Sequence, residues 1–151
     1  MTQSSIGRGC ASTRTANVIV GFDGSRSSEH ALAYAAGVSR RTGGALLVAY
    51  IAAGGTSIGQ APFTPEAATA WRAYDASRVR KQAEELLKGT GTTWQFTTVY
   101  GEAAAGIEQL GERHRADLLV VGRSRVPVRH VFGSVPARLA RHARCPITVV
   151  S

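Results

Sequence analysis

Three short stretches of the chain carry residue types that can hold a charged small molecule. The first is Asp117-Leu118-Leu119-Val120-Val121-Gly122, an apolar run that stops on a glycine. The second is Gly133-Ser134-Val135, placed directly ahead of a helical pattern over residues 137–142. A strand ending in glycine, then a loop, then a Gly-Ser helix start aims backbone N–H groups and the positive end of a helix at one point. That geometry suits an anion, a phosphate above all. Ser134 is also the natural N-cap of the helix, its hydroxyl accepting from an amide of the first turn. The third stretch is Asp23-Gly24-Ser25, which closes the apolar run Val18-Ile19-Val20-Gly21-Phe22. It reads as a turn whose Ser25 caps the following helix.

Other chemistry finds less support. His114, His130 and His142 each stand beside an arginine, and no two of them have metal-ligand spacing with a third ligand. Glu102, Glu108 and Glu112 read as a solvated helix face rather than paired catalytic acids. Cys10 and Cys145 form no CxxC motif, and Cys145 reads as a small buried hydrophobe. No serine sits in a nucleophile elbow. The expectation is a binding protein, not an enzyme, with no metal site.

The net charge of +8 comes from arginine far more than lysine, since only Lys81 and Lys88 are lysines. Such a balance favours nucleotides, nucleic acid or acidic lipid without choosing among them. The chain shows no stacking platform or recognition helix, which argues against nucleic acid. No apolar run is long enough to span a membrane, and the first residues lack the apolar segment of a secretory signal. The expected location is cytoplasmic.

The elements that position these residues follow from periodicity. Residues 1–16, rich in Ser, Thr, Gly and Arg, read as a flexible tail, and residues 17–151 as one domain. Residues 18–22 predict a first buried strand, 26–42 a helix stopped by Gly43-Gly44, and 45–51 a second strand. Thr64-Pro65-Glu66 starts a long helix that runs to about residue 88, with Ala67, Trp71, Tyr74, Val79, Ala83 and Leu86 as its inner stripe. On this reading the two aromatics are core packing and Asp75 lies on the wet face. Residues 94–100 predict an edge strand, 102–115 a helix, 117–122 a strand, and 146–150 the last strand after the final helix. Alternating strands and helices predict a doubly wound α/β domain, a parallel sheet with helices on both faces. In such folds a ligand sits beyond the carboxyl ends of the strands, where the winding reverses.

The run from Val18 to Ser25, the strand from Asp117 to Gly122, Gly133-Ser134-Val135 and His142-Ala143-Arg144-Cys145-Pro146-Ile147 together resemble the universal stress protein family. The likeness covers nearly the whole chain after the tail. It implies a five-stranded parallel sheet of order 3-2-1-4-5, a homodimer joined through the C-terminal strand, and a regulatory role in stress toward a protein partner not identified by the sequence. Many members bind ATP, some with Mg, and others do not. The resemblance implies that Asp23 contacts the nucleoside and that backbone near Ile51 holds adenine. Phosphates then lie in a motif of Gly, two residues, Gly, nine residues, Gly and Ser or Thr. Gly122 matches the first glycine, and Gly133 with Ser134 matches the closing pair, ahead of Val135.

The middle of the motif departs from that pattern. Arg125 stands in the place of the second glycine, and seven residues rather than nine separate it from Gly133. Val126, Pro127 and Val128 replace flexible loop residues. A branched residue or a proline resists the positive φ and the close phosphate approach that glycine permits. Against that loss, Arg123, Arg125 and Arg129 add charge that can contact phosphate directly. Two readings therefore stand: an adenine-nucleotide cleft at the ends of strands 1 and 4, or a ligand-free interaction module of the same fold.

Overall fold

The computed structural model describes residues 17–52, 64–123 and 135–151. In chain order the elements are β1 (Val18–Gly21), α1 (Arg26–Thr42), β2 (Leu46–Ala52), α2 (Pro65–Leu87), β3 (Trp94–Tyr100), α3 (Ala103–Arg113), β4 (Leu118–Gly122), α4 (Val135–His142) and β5 (Ile147–Val150). The five strands form one sheet of order β3-β2-β1-β4-β5, and every neighbouring pair is parallel. The α/β class predicted from periodicity and the 3-2-1-4-5 order implied by the family resemblance are those observed.

Alternation along β1 distributes its side chains to two cores. Val18 and Val20 enter a cluster with Ala31, Leu32, Val79 and Ala83 of α1 and α2. Ile19 enters a second cluster with Ile107, Leu110, Leu119 and Leu139, which belong to α3, β4 and α4. A central strand with both faces covered must be apolar at every position, which is why β1 and β4 read as continuous apolar runs. The first half of the chain winds outward from β1 to β3. The chain then returns through α3 to place β4 on the other side of β1. The winding therefore reverses between β1 and β4.

Local chemistry sets the ends of the helices. Ser25 caps α1, accepting from the Ser28 amide, and Gly43 stops it in the left-handed conformation at φ 63°. Thr64 caps α2, with Pro65 in the first turn. Element boundaries differ from expectation by a residue or two: β2 begins at Leu46, β4 at Leu118 and β5 at Ile147, and α3 ends at Arg113. Arg115, two residues past that helix, takes φ 48° and turns the chain toward β4.

The α2 stripe needs correction. Its buried residues are Val79, Ala83 and Leu87, whereas Trp71, Tyr74 and Leu86 are exposed. Successive steps of four keep Val79, Ala83 and Leu87 on one line. The same steps carried back reach Asp75 and Trp71, so Trp71 lies on the extension of the buried row, whereas Tyr74 lies roughly 140° around the helix from Val79. None of the α2 residues before Val79 is buried. The Tyr50 hydroxyl, near the carboxyl end of β2, donates to Asp75. Among the described residues, none of the turns before Asp75 contributes to either hydrophobic core. Trp71 and Tyr74 instead pack on each other, ring centroids 5.9 Å apart.

Candidate functional site

The turn after β1 is held by a compact set of hydrogen bonds. The Ser25 amide donates to Oδ1 of Asp23 at 2.9 Å, and the Asp23 amide donates to Oγ of Ser28 at 3.3 Å. That Ser28 hydroxyl donates in turn to the Ser25 carbonyl at 2.9 Å. Gly24 completes the turn at φ 81°, a conformation few other residues adopt without strain. Behind it, Gln82 of α2 donates to the Gly24 carbonyl at 3.1 Å and to Glu29 at 2.7 Å. Partial burial works to raise the Asp23 pKa. The hydrogen bonds from Ser25 and Ser28 outweigh it and hold the carboxyl below its ordinary value. Asp23 is therefore a fixed, ionised acceptor at the end of β1.

β4 reaches the same point from the other side. A Cβ added to Gly122 would lie 2.7 Å from the carbonyl carbon and oxygen of Ser27 and 2.8 Å from the Ser28 amide nitrogen. Its φ lies outside the left-handed region, so glycine is needed here for space rather than for backbone conformation. The sequence suggested two reasons for this glycine, a phosphate or the end of a strand. The structure supplies a third: the end of β4 lies directly on the first turn of α1.

Between these elements lies a cavity of about 360 Å³. Asp23, Ile51, Gly122 and Val135, four of the residues singled out from the sequence, all line it. They come from the turn after β1, from β2, from β4 and from α4, so the switch point of the sheet assembles them. Arg125, Gly133 and Ser134 lie outside the described residues. The rest of the wall is mostly apolar, with Phe22, Ile107 and Val121 prominent. Arg26 and Arg123 complete the rim.

Several contributors were not foreseen. Ala103 and Ile107 line the cavity one helical turn apart on α3, and that i, i+4 spacing was the available signal. Arg26 was hidden by its position next to a cap, where polar residues are ordinary. Glu102 has a role beyond the one expected. It is exposed, as expected, but its carboxylate also caps α3, accepting from Ala104 at 3.2 Å and Ala105 at 3.3 Å. It also pairs with Arg138 of α4 at 2.7 Å. Because Ala103 and Pro136 both line the cavity, this pair joins the two helices at its edge. A helix N-terminus attracts a carboxylate, and α4 supplied the cation only once the chain had folded.

Among the described residues no group of three or more His, Cys, Asp and Glu is placed to hold a metal. Cys145 is half-buried against the second core, and burial pushes its thiol pKa up. It lies on the wall of a separate cavity, away from the switch point.

Over residues 15–151 the sequence matches the universal stress protein family. The fold is similar to that of a universal stress protein solved in complex with cAMP, at 26% identity and a TM-score of 0.68, covering 90% of this chain and 96% of that one. A universal stress protein from Lactobacillus plantarum is similar at 25% identity and a TM-score of 0.65, covering 91% and 99% of the two chains. One from Archaeoglobus fulgidus, solved in complex with dAMP, shares the fold at 21% identity and a TM-score of 0.67 over 90% and 98%. No significant match was found among the curated proteins. With the match spanning the whole domain and the sheet order agreeing, this chain belongs to the universal stress protein family.

Proposed function

We propose that the crevice between β1 and β4 binds an adenine nucleotide, and that occupancy changes what the protein contacts during a stress response. The observation that carries this reading is the convergence of Asp23, Ile51, Gly122 and Val135 on one cavity of about 360 Å³. That volume lies at the lower end of the range for small-ligand sites. An apolar wall suits a purine ring, and the ionised Asp23 suits a ribose hydroxyl, which donates to a carboxylate. The relative in complex with cAMP supports the same ligand class. ATP, with Mg on its phosphates, is the ligand the resemblance implies.

The site acts by holding its ligand and not by catalysis. Its lining carries no histidine, cysteine or lysine among the described residues, and Asp23 is engaged by the turn. The reading places the protein in the cytoplasm as a homodimer joined along β5. Val149 on that strand is 47% exposed, and β5 pairs with β4 alone among the described strands. A Val149→Lys variant should run as a monomer in light scattering. A variant that stays dimeric would move the interface elsewhere.

Isothermal titration with ATP, ADP and AMP tests the ligand. Saturable heat from at least one, lost in Asp23→Ala, is expected. Absence of heat and of thermal shift with all three removes the nucleotide reading. That result would favour a ligand-free interaction module, the alternative suggested by Arg125 in place of a glycine and by the shortened, Val- and Pro-containing segment after it.

A further inference from the structure

Three of the described arginines are paired with acids: Arg78 with Asp75, Arg138 with Glu102 and Arg144 with Glu112. Arg26 and Arg123 are set apart by their place on the switch-point cavity. Both are exposed, both line the switch-point cavity, and neither has an ion-pair partner among the described residues.

Their proximity follows from the backbone. Gly122 lies against Ser27, and the two arginines are the immediate chain neighbours of that contact, Arg26 before Ser27 and Arg123 after Gly122. The same close approach that requires glycine therefore brings two cationic stems to one rim. Their backbones are anchored. Arg26 is the first residue of α1, and the Arg123 amide donates to the Val150 carbonyl at 2.7 Å. Asp23 is the one carboxylate among the residues lining the cavity, so the described lining carries a net charge of about one positive unit. The rest of the wall is mostly apolar. A ligand that satisfies both ends has an apolar planar body and an anionic tail.

We infer that Arg26 and Arg123 are the phosphate-reading residues of this cleft and set its preference by the charge of the ligand's tail. The inference rests on the nucleotide reading above. It also accounts for how such a site tolerates Arg125 and Val-Pro-Val where a glycine-rich cradle is expected. Backbone amides in a glycine loop hold one phosphate geometry, because their positions are fixed. Guanidinium groups on flexible stems select less by shape and more by charge, and at an exposed rim their attraction is screened by salt.

The test is a set of titrations of the full chain with adenosine, AMP, ADP and ATP, at low and moderate salt. The proteins are the parent, Arg26→Gln, Arg123→Gln and the double variant. Affinity should rise from adenosine to ADP in the parent, and the gain should shrink with salt. Each single variant should weaken AMP and ADP by roughly three- to tenfold, the range for a charge-assisted contact at a partly exposed site. Adenosine affinity should stay unchanged in both, and restoring charge with Arg→Lys should recover part of the loss. Melting temperatures of the unliganded variants should equal that of the parent, since neither arginine is ion-paired among the described residues. Adenosine binding as tightly as ADP would overturn the inference and leave the cleft as a nucleoside site. Equal loss of adenosine and ADP in the variants would also overturn it, by making the arginines structural. Silence with every ligand would overturn both the inference and the reading beneath it.

Discussion

Replacing Gly122 with alanine tests whether that glycine serves packing or a ligand. The added methyl would meet three backbone atoms of α1 at 2.7, 2.7 and 2.8 Å, against an ordinary contact range of 3.4–4 Å. Backbone in the first turn of a capped helix cannot swing aside as a side-chain tip can. Relief therefore requires β4 and α1 to separate by several tenths of an ångström. Both are bonded into the centre of the fold, β4 to β1 and β5, α1 over the sheet. Overpacking of this kind costs about 3 kcal/mol, at the upper end of its usual range. The lost freedom of glycine in the unfolded chain offsets roughly 0.4–1 kcal/mol of that. A net loss of about 2 kcal/mol corresponds to a melting temperature lowered by roughly 6–8 °C in a domain of this size.

The assay is thermal and urea unfolding of the ligand-free protein, with Gly43→Ala as the comparison. Gly43 has nothing within 4 Å of an added Cβ but sits at φ 63°, so its cost is purely conformational, about 1 kcal/mol. Gly122→Ala should melt lower than Gly43→Ala. A Gly122→Ala protein that melts within about 2 °C of the parent would refute the packing argument and return that glycine to a ligand role.

Two further predictions concern residues the fold brings together. Glu102→Ala removes the α3 cap and the Arg138 pair at once and should cost about 1–2 kcal/mol in urea unfolding, with Glu102→Gln recovering part of it; an unchanged midpoint would show that neither contact contributes. Burial, then the hydrogen bond to Asp75, pushes the Tyr50 pKa up to about 12, so this pair's stability is intact below pH 10 and is lost as pH rises from about 10 to about 12. On the acid side the Tyr50 hydrogen bond lowers the Asp75 pKa. Stability there is present above the ordinary aspartate value and falls as pH drops through the depressed one. Ultraviolet titration should show one tyrosine ionising near 12 in the parent and not in Tyr50→Phe, and Asp75→Asn should flatten the acid limb of stability; a single tyrosine transition near 10 would contradict the arrangement.

The sequence by itself determined what depends on local chemistry and on period. Continuous apolar runs announced β1 and β4 because a central parallel strand is covered on both faces. Ser25 and Thr64 were legible as caps because capping needs only a hydroxyl and the next turn of chain. The family resemblance singled out Asp23, Ile51, Gly122 and Val135, and the folded sheet sets these four on one cavity. What only the tertiary structure decided is which neighbours those elements meet. Helical period alone could not show that Trp71 and Tyr74 are exposed, since the stripe it describes says nothing about where the core stops. Nor could it pair Glu102 with Arg138, 36 residues apart in sequence, or set Gly122 on the backbone of Ser27. Those contacts depend on the distance between packed elements. That distance is set by the summed side chains of both cores and is written in no single stretch of the chain.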